Sequence, residues 1–138
     1  MNPLTPPKEQ LEAVISLYSS GKIQEAIDTV NTLTKSYPDT PLLFNILGAC
    51  YKKLGKIDTA AKMFSKAVTI NPGYAEAHFN HAIILNETGK TDISVESYKK
   101  AIAILPNYSD AHNNLGNIYL DRNQYKDALK HYEFAILY

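Results

Sequence analysis

Residues 43–72, LFNILGACYKKLGKIDTAAKMFSKAVTINP, decide the fold of this chain. Within them Phe44, Leu47, Gly48, Tyr51, Gly55, Ala60, Phe64, Ala67 and Pro72 form a spaced pattern that returns along the sequence. A step of 34 residues forward from Gly55, Ala67 and Pro72 reaches Gly89, Ala101 and Pro106, and the same step back from Gly55 and Pro72 reaches Gly21 and Pro38. Self-similarity at one fixed interval is the mark of a repeat architecture, in which each unit buries its apolar face against its neighbours.

A register starting at Pro7, Pro41, Ala75 and Ser109 aligns the whole chain. Its seventh place holds Ala13, Leu47, His81 and Leu115, and its eighth holds Val14, Gly48, Ala82 and Gly116. The twentieth place holds Ala26, Ala60, Ser94 and Ala128. The twenty-fourth holds Val30, Phe64, Tyr98 and Tyr132, and the twenty-seventh Leu33, Ala67, Ala101 and Ala135. This spacing resembles the tetratricopeptide signature, Trp-x2-Leu-Gly-x2-Tyr followed by Ala, Phe, Ala and Pro. The resemblance implies an all-α fold: a tandem helix-turn-helix solenoid of four repeats forming a right-handed superhelix. The expected organisation is an extended arm at 1–6, then repeats at 7–40, 41–74, 75–108 and 109–138. The last is truncated before its closing proline and has no capping helix.

Apolar residues recur at three- and four-residue spacing in both halves of each repeat, which predicts two helices per repeat. Gly21, Gly55 and Gly89 mark the turn between them, where a left-handed backbone suits glycine. Asn123 occupies that place in the fourth repeat, and asparagine is the side chain that best tolerates the same conformation. Pro38, Pro72 and Pro106 close the second helices because proline cannot continue a helix. The alanines at the twentieth and twenty-seventh places are expected to let helices approach closely, with Phe64, Tyr98 and Tyr132 filling the space between.

Fourteen Lys and Arg balance fourteen Asp and Glu across 138 residues. Without excess positive charge there is no general electrostatic attraction to nucleic acid or to an anionic membrane, and neither is expected as a partner. No apolar run approaches the roughly 20 residues of a spanning helix, and the first ten residues, MNPLTPPKEQ, lack a signal-peptide core. The chain is therefore read as cytoplasmic. Its single cysteine, Cys50, is expected to be a small core residue.

In the family to which the chain is similar, the first helices line a concave groove, built mainly from places 2, 5, 6, 9, 12 and 13 of each repeat. Carried over, the resemblance nominates Leu11, Ile15 and Tyr18 in the first repeat and Asn45, Ile46 and Lys52 in the second. It nominates Glu76, Phe79, Asn80, Ile83 and Glu87 in the third repeat, and Asp110, Asn113, Asn114, Asn117 and Asp121 in the fourth. The lining changes from apolar to amide-rich and acidic. Co-chaperone members of the family hold a terminal carboxylate with Lys, Arg and Asn, where this chain has Leu11, Ile15, Ile46, Glu76 and Asn80. Aliphatic and acidic side chains cannot pair with a carboxylate, so that use is not expected. Asn80 and Asn114 share the sixth place one repeat apart, which resembles the asparagine ladder of the O-linked N-acetylglucosamine transferase superhelix. An asparagine amide offers both a donor and an acceptor, and so can pair with a peptide unit of any sequence.

His78 and His81 lie one turn apart and His112 follows in the next repeat, but no cysteine or carboxylate set completes a metal site, and none is expected. His81 is expected to replace a core leucine and to find a hydrogen-bond partner. No nucleophile elbow, phosphate loop or zinc-protease motif occurs, so neither a catalytic residue nor a cofactor is expected. The ten tyrosines fall largely at packing places, among them Tyr51, Tyr98, Tyr119 and Tyr132, and no basic stripe accompanies them.

The function expected is a protein–protein interaction module or scaffold that binds an extended peptide segment in its groove. One alternative is a substrate-recruiting region ahead of a glycosyltransferase-like or sulfotransferase-like domain. Another is self-assembly as a homo-oligomer through the apolar C-terminal end, Phe134, Ala135, Ile136, Leu137 and Tyr138.

Overall fold

Eight α-helices and no strand are found among residues 5–138, the part of the chain that the computed structural model describes. The arm expected at 1–6 falls mostly outside the described residues. The helices are α1 (Lys8–Ser19), α2 (Ile23–Ser36), α3 (Pro41–Lys53), α4 (Ile57–Ile70), α5 (Ala75–Glu87), α6 (Thr91–Ile104), α7 (Ser109–Asp121) and α8 (Tyr125–Leu137). They fall into two compact units, Met1–Pro72 with α1–α4 and Gly73–Tyr138 with α5–α8.

All four helical hairpins turn in the same way. Gly21, Gly55 and Gly89 take φ of 78°, 76° and 82°, and Asn123 takes 60°. The next residue reaches back five places to bond a carbonyl of the finished helix: Lys22 to Leu17, Lys56 to Tyr51, Lys90 to Leu85 and Gln124 to Tyr119. These bonds satisfy carbonyls that the helix end would otherwise leave without a partner, which is why a left-handed residue is needed at that point.

Packing within a hairpin depends on paired sizes at the eighth and twenty-fourth places. Where the second helix carries an aromatic ring, the first carries Gly or Ala: Gly48 with Phe64, Ala82 with Tyr98, Gly116 with Tyr132. A Cβ at Gly48 would sit 2.4 Å from the Phe64 ring, and one at Gly116 would sit 2.8 Å from the Tyr132 ring. The first hairpin has valine on both sides, Val14 and Val30, each fully buried. Phe64 is almost wholly buried, and removing its ring from water contributes roughly 2–3 kcal/mol. Ala60, Ala67, Ala101 and Ala128 are buried as expected of close-approach positions. Ser94 replaces alanine in the third hairpin, and its hydroxyl donates to the Ala82 carbonyl at 2.6 Å, so the buried oxygen is satisfied.

In the first unit α3 packs against both α2 and α4, whereas α1 packs against α2. Accordingly α3 buries Leu43, Phe44, Asn45, Leu47, Gly48 and Cys50, while α1 buries only Val14. In the second unit α7 is flanked in the same way by α6 and α8. Its core gathers Ala82, Val95, Tyr98, Ala111, Leu115, Ile118, Tyr119 and Ala128.

Candidate functional site

Cys50 is sealed in the core of the first unit, and burial raises its thiol above the ordinary range. Burial, with the nearby Cys50 adding to it, also raises the Tyr18 phenol. Of the apolar nominees in this unit, Leu11, Tyr18 and Ile46 are half-buried and Ile15 is exposed. Lys52, on α3, is half-buried. Asn45 departs from the expectation of an open groove position, since only 5% of it is exposed.

The second unit brings five nominated residues together. Ile83 and Glu87 from α5 meet Asn114, Asn117 and Asp121 from α7 around a cavity of about 210 Å³, with Tyr98, Asn86 and Ile118 completing its wall. Asn114 and Asn117 are one turn apart on α7 and so share a face. Asn114 Nδ2 donates to the Tyr98 hydroxyl at 3.3 Å, and the Tyr132 hydroxyl donates to Asn117 Oδ1. Both tyrosines were expected only to pack; their rings do so, while their hydroxyls reach the cavity side. Phenylalanine, as at Phe64, packs equally well but carries no such group, so the signal in the sequence was tyrosine against phenylalanine at the twenty-fourth place. Burial first, and Glu87 after it, raise the Tyr98 phenol despite its bond from Asn114, so it stays neutral.

The remaining nominees lie outside that cavity. Phe79 stacks on Tyr108 with ring centroids 4.9 Å apart and meets Tyr98 edge-on at 5.9 Å. Glu76 and Asp110 are exposed, and after burial itself they push the Tyr108 phenol up to about 12. Asn113 is exposed and Asn80 is half-buried, and neither lines that cavity. The cavity therefore unites Asn114 with Asn117 on the same helix rather than with Asn80 one repeat earlier.

His112 and His131 are packing residues with defined partners. His112 is buried between α7 and α8, with Nε2 2.8 Å from the Pro106 carbonyl and Nδ1 3.1 Å from Nδ1 of His131. A carbonyl can only accept, so His112 donates from Nε2, and its bare Nδ1 accepts from His131. His131, which the sequence reading passed over, is held between this bond and a ring stack on Tyr119. Burial, then His112 and Lys130, lower its pKa. His81 is half-buried rather than sealed like a core leucine. Among the described residues no three His, Cys, Asp or Glu side chains are grouped to hold a metal ion, and no helix is long and apolar enough to cross a membrane.

This geometry defines a helical-repeat protein whose distinguishing residues face outward from a generic core. Comparison with known proteins gives the class. The sequence model described as Tetratricopeptide repeat matches residues 41–74 and 109–137, and that described as TPR repeat matches residues 82–121, together more than half of the chain. The chain belongs to the tetratricopeptide repeat family, and is a protein-interaction module of that family. No curated protein matches it in sequence.

Among solved structures, a crystal structure of MamA superposes with a TM-score of 0.84 at 21% identity, over 98% of this chain and 77% of that one. MamA 41-end from Desulfovibrio magneticus RS-1 gives 0.81 at 20% identity, over 95% of this chain and 74% of that one. A structure of MamA MSR-1 gives 0.73 at 23% identity, over 91% and 72%. At these identities the likeness is one of fold.

Proposed function

We propose that the second unit binds an extended peptide segment of a partner protein, and that the chain is a recruiting or scaffolding module rather than a catalyst. The observation that carries this reading is the cavity in which the Asn114 and Asn117 amides lie between Ile83 and Ile118, with Glu87 and Asp121 on its wall. Amides suit the backbone of the ligand, the isoleucines its methylenes, and the two carboxylates a basic side chain. The apolar surface of the first unit, with Leu11, Ile15 and Ile46, offers a separate contact for an apolar residue of the partner.

A peptide array probed with the wild-type chain and with the double variant Asn114→Ala, Asn117→Ala tests the reading. Binding of a peptide set by the wild type and its loss in an equally folded variant is the expected result. A wild type that retains no peptide would overturn it. Replacing Glu87 by Gln and Asp121 by Asn should raise Kd for basic peptides and flatten its dependence on salt.

A second reading, self-association, is favoured by one feature of α8. Its Leu129 is 59% exposed, whereas the residues at the same repeat place on α2 and α6, Ile27 and Val95, are 2% and 6% exposed. Ile136 and Leu137 extend this apolar surface. A second copy of the chain is the occupant this reading names, and a mass by light scattering that stays monomeric as concentration rises would dismiss it.

A further inference from the structure

A pair of imidazoles ties α8 to α7. His112 Nε2 donates to the Pro106 carbonyl at 2.8 Å, which leaves Nδ1 of the neutral ring bare, and His131 donates to it from its own Nδ1 at 3.1 Å. One chain of hydrogen bonds thus joins the turn after α6 to both helices of the last hairpin. Rings close the space around it. Phe134 stacks on His112 with centroids 5.0 Å apart, Tyr138 lies against the same ring at 6.5 Å, and Tyr119 stacks on His131 at 5.5 Å. His112 is only 3% exposed, so water cannot take over a bond lost there unless the helices part.

The pair has room for one added proton and not for two. In the neutral pair the bare nitrogens are His112 Nδ1 and His131 Nε2. A first proton enters at His131 Nε2 and leaves a single hydrogen between the two Nδ1 atoms, so the bond survives. A second has only His112 Nδ1 to occupy, and would set two N–H groups head to head across 3.1 Å with a positive charge on each ring. The charged side chains that act on His131 offer little relief. Lys130 on α8 and Lys99 on α6 oppose its protonation, and Asp127 on α8 favours it.

We infer that the His112–His131 pair is an acid-sensitive latch on α8, closed while the two rings share at most one added proton and released when each carries its own. In the released helix both imidazoles bind protons freely, so acid favours release by mass action. The same helix brings the Tyr132 hydroxyl to Asn117, one of the residues around the cavity, and release dismantles that contact too. Acid is thereby coupled to the wall of the cavity, whatever ligand the cavity takes.

The test uses the intact chain and NMR. At neutral pH the imidazole nitrogen shifts should report Nε2–H with a bare Nδ1 in His112, and Nδ1–H in His131. On acidification, amide exchange corrected for intrinsic rates should show the opening of α8 rising about tenfold per pH unit for each net proton gained. The closed form should never carry more than one added proton on the pair. His131→Asn supplies the contrast. Its amide donates to a bare His112 Nδ1 and, turned over, accepts from a protonated one, so the contact survives in either state. Opening of α8 in that variant should lose most of its pH dependence.

Two fully protonated rings in a chain whose α8 amides stay protected would overturn the inference, as would the opposite neutral tautomers in the wild type. Equal pH profiles for the wild type and His131→Asn would do the same. The first two readouts use the wild type alone, and decide the matter even if the variant does not fold.

Discussion

The two units share a backbone plan and differ in what their second helices carry toward the first. In the unit Met1–Pro72 the twenty-fourth places hold Val30 and Phe64, which end inside the core, and the surface nearby is apolar. In the unit Gly73–Tyr138 the same places hold Tyr98 and Tyr132, whose rings do the same packing while their hydroxyls reach Asn114 and Asn117. One oxygen atom on the ring thus separates a sealed contact from one that also reaches a polar surface. All four histidines belong to the second unit as well. The close helix packing is common to both units, and the tyrosine–asparagine contacts belong to one.

Truncating the sealed ring should have the largest effect. Phe64→Ala is expected to cost about 3–5 kcal/mol by urea denaturation, whereas Tyr132→Ala should cost clearly less because that ring is half-buried. Equal losses would show that the two contacts are not sealed to different degrees. Overfilling, by contrast, should treat the units alike. Ala60→Leu and Ala101→Leu, both at wholly buried positions, should each cost about 1–3 kcal/mol, and unchanged thermal unfolding in both would contradict the shared packing register.

Acid should separate the units. Burial, with His78, Lys100 and Lys90, lowers the pKa of His81, and burial, with His112, Lys130 and Lys99 acting against Asp127, lowers that of His131. A histidine whose folded pKa lies below its unfolded value, near 6.5, takes up its proton more readily when the chain unfolds. The stability this contributes is fully present above about pH 6.5 and is lost as the pH falls through the folded value. Hydrogen exchange at pH 7.5 and 5.5, corrected for intrinsic rates, should therefore show protection falling more in residues 73–138 than in residues 5–72. A uniform fall would remove the histidines from the account. The smallest effect belongs to the exposed ion pair between Arg122 and Asp92, which links α6 to the turn after α7. Asp92→Asn should change stability by less than about 1 kcal/mol, and less still in high salt.

Much of the architecture was legible from spacing. The turn residues are an example: Asn123 could be read as a substitute for glycine because few other side chains adopt a left-handed backbone, and its φ of 60° follows from the chemistry of the residue itself. The buried alanines were legible for a similar reason, since a small residue repeated at one place in every repeat signals close helix approach. Positions on the binding surface were less so. Asn45 occupied a nominal groove place yet is buried, whereas Asn113 at the same place of α7 is exposed, so the repeat place by itself does not fix exposure.

Sequence alone thus determined the repeat interval, the paired helices and the turn conformation, all of which depend on local backbone preference and on periodicity. Tertiary structure alone decided that the hydroxyls of Tyr98 and Tyr132 would reach Asn114 and Asn117, and that His112 would meet His131. Each of these depends on directions and distances between side chains on different helices. Hydrogen bonds form only over a few tenths of an ångström and a narrow range of angle, finer than any spacing of residues can specify.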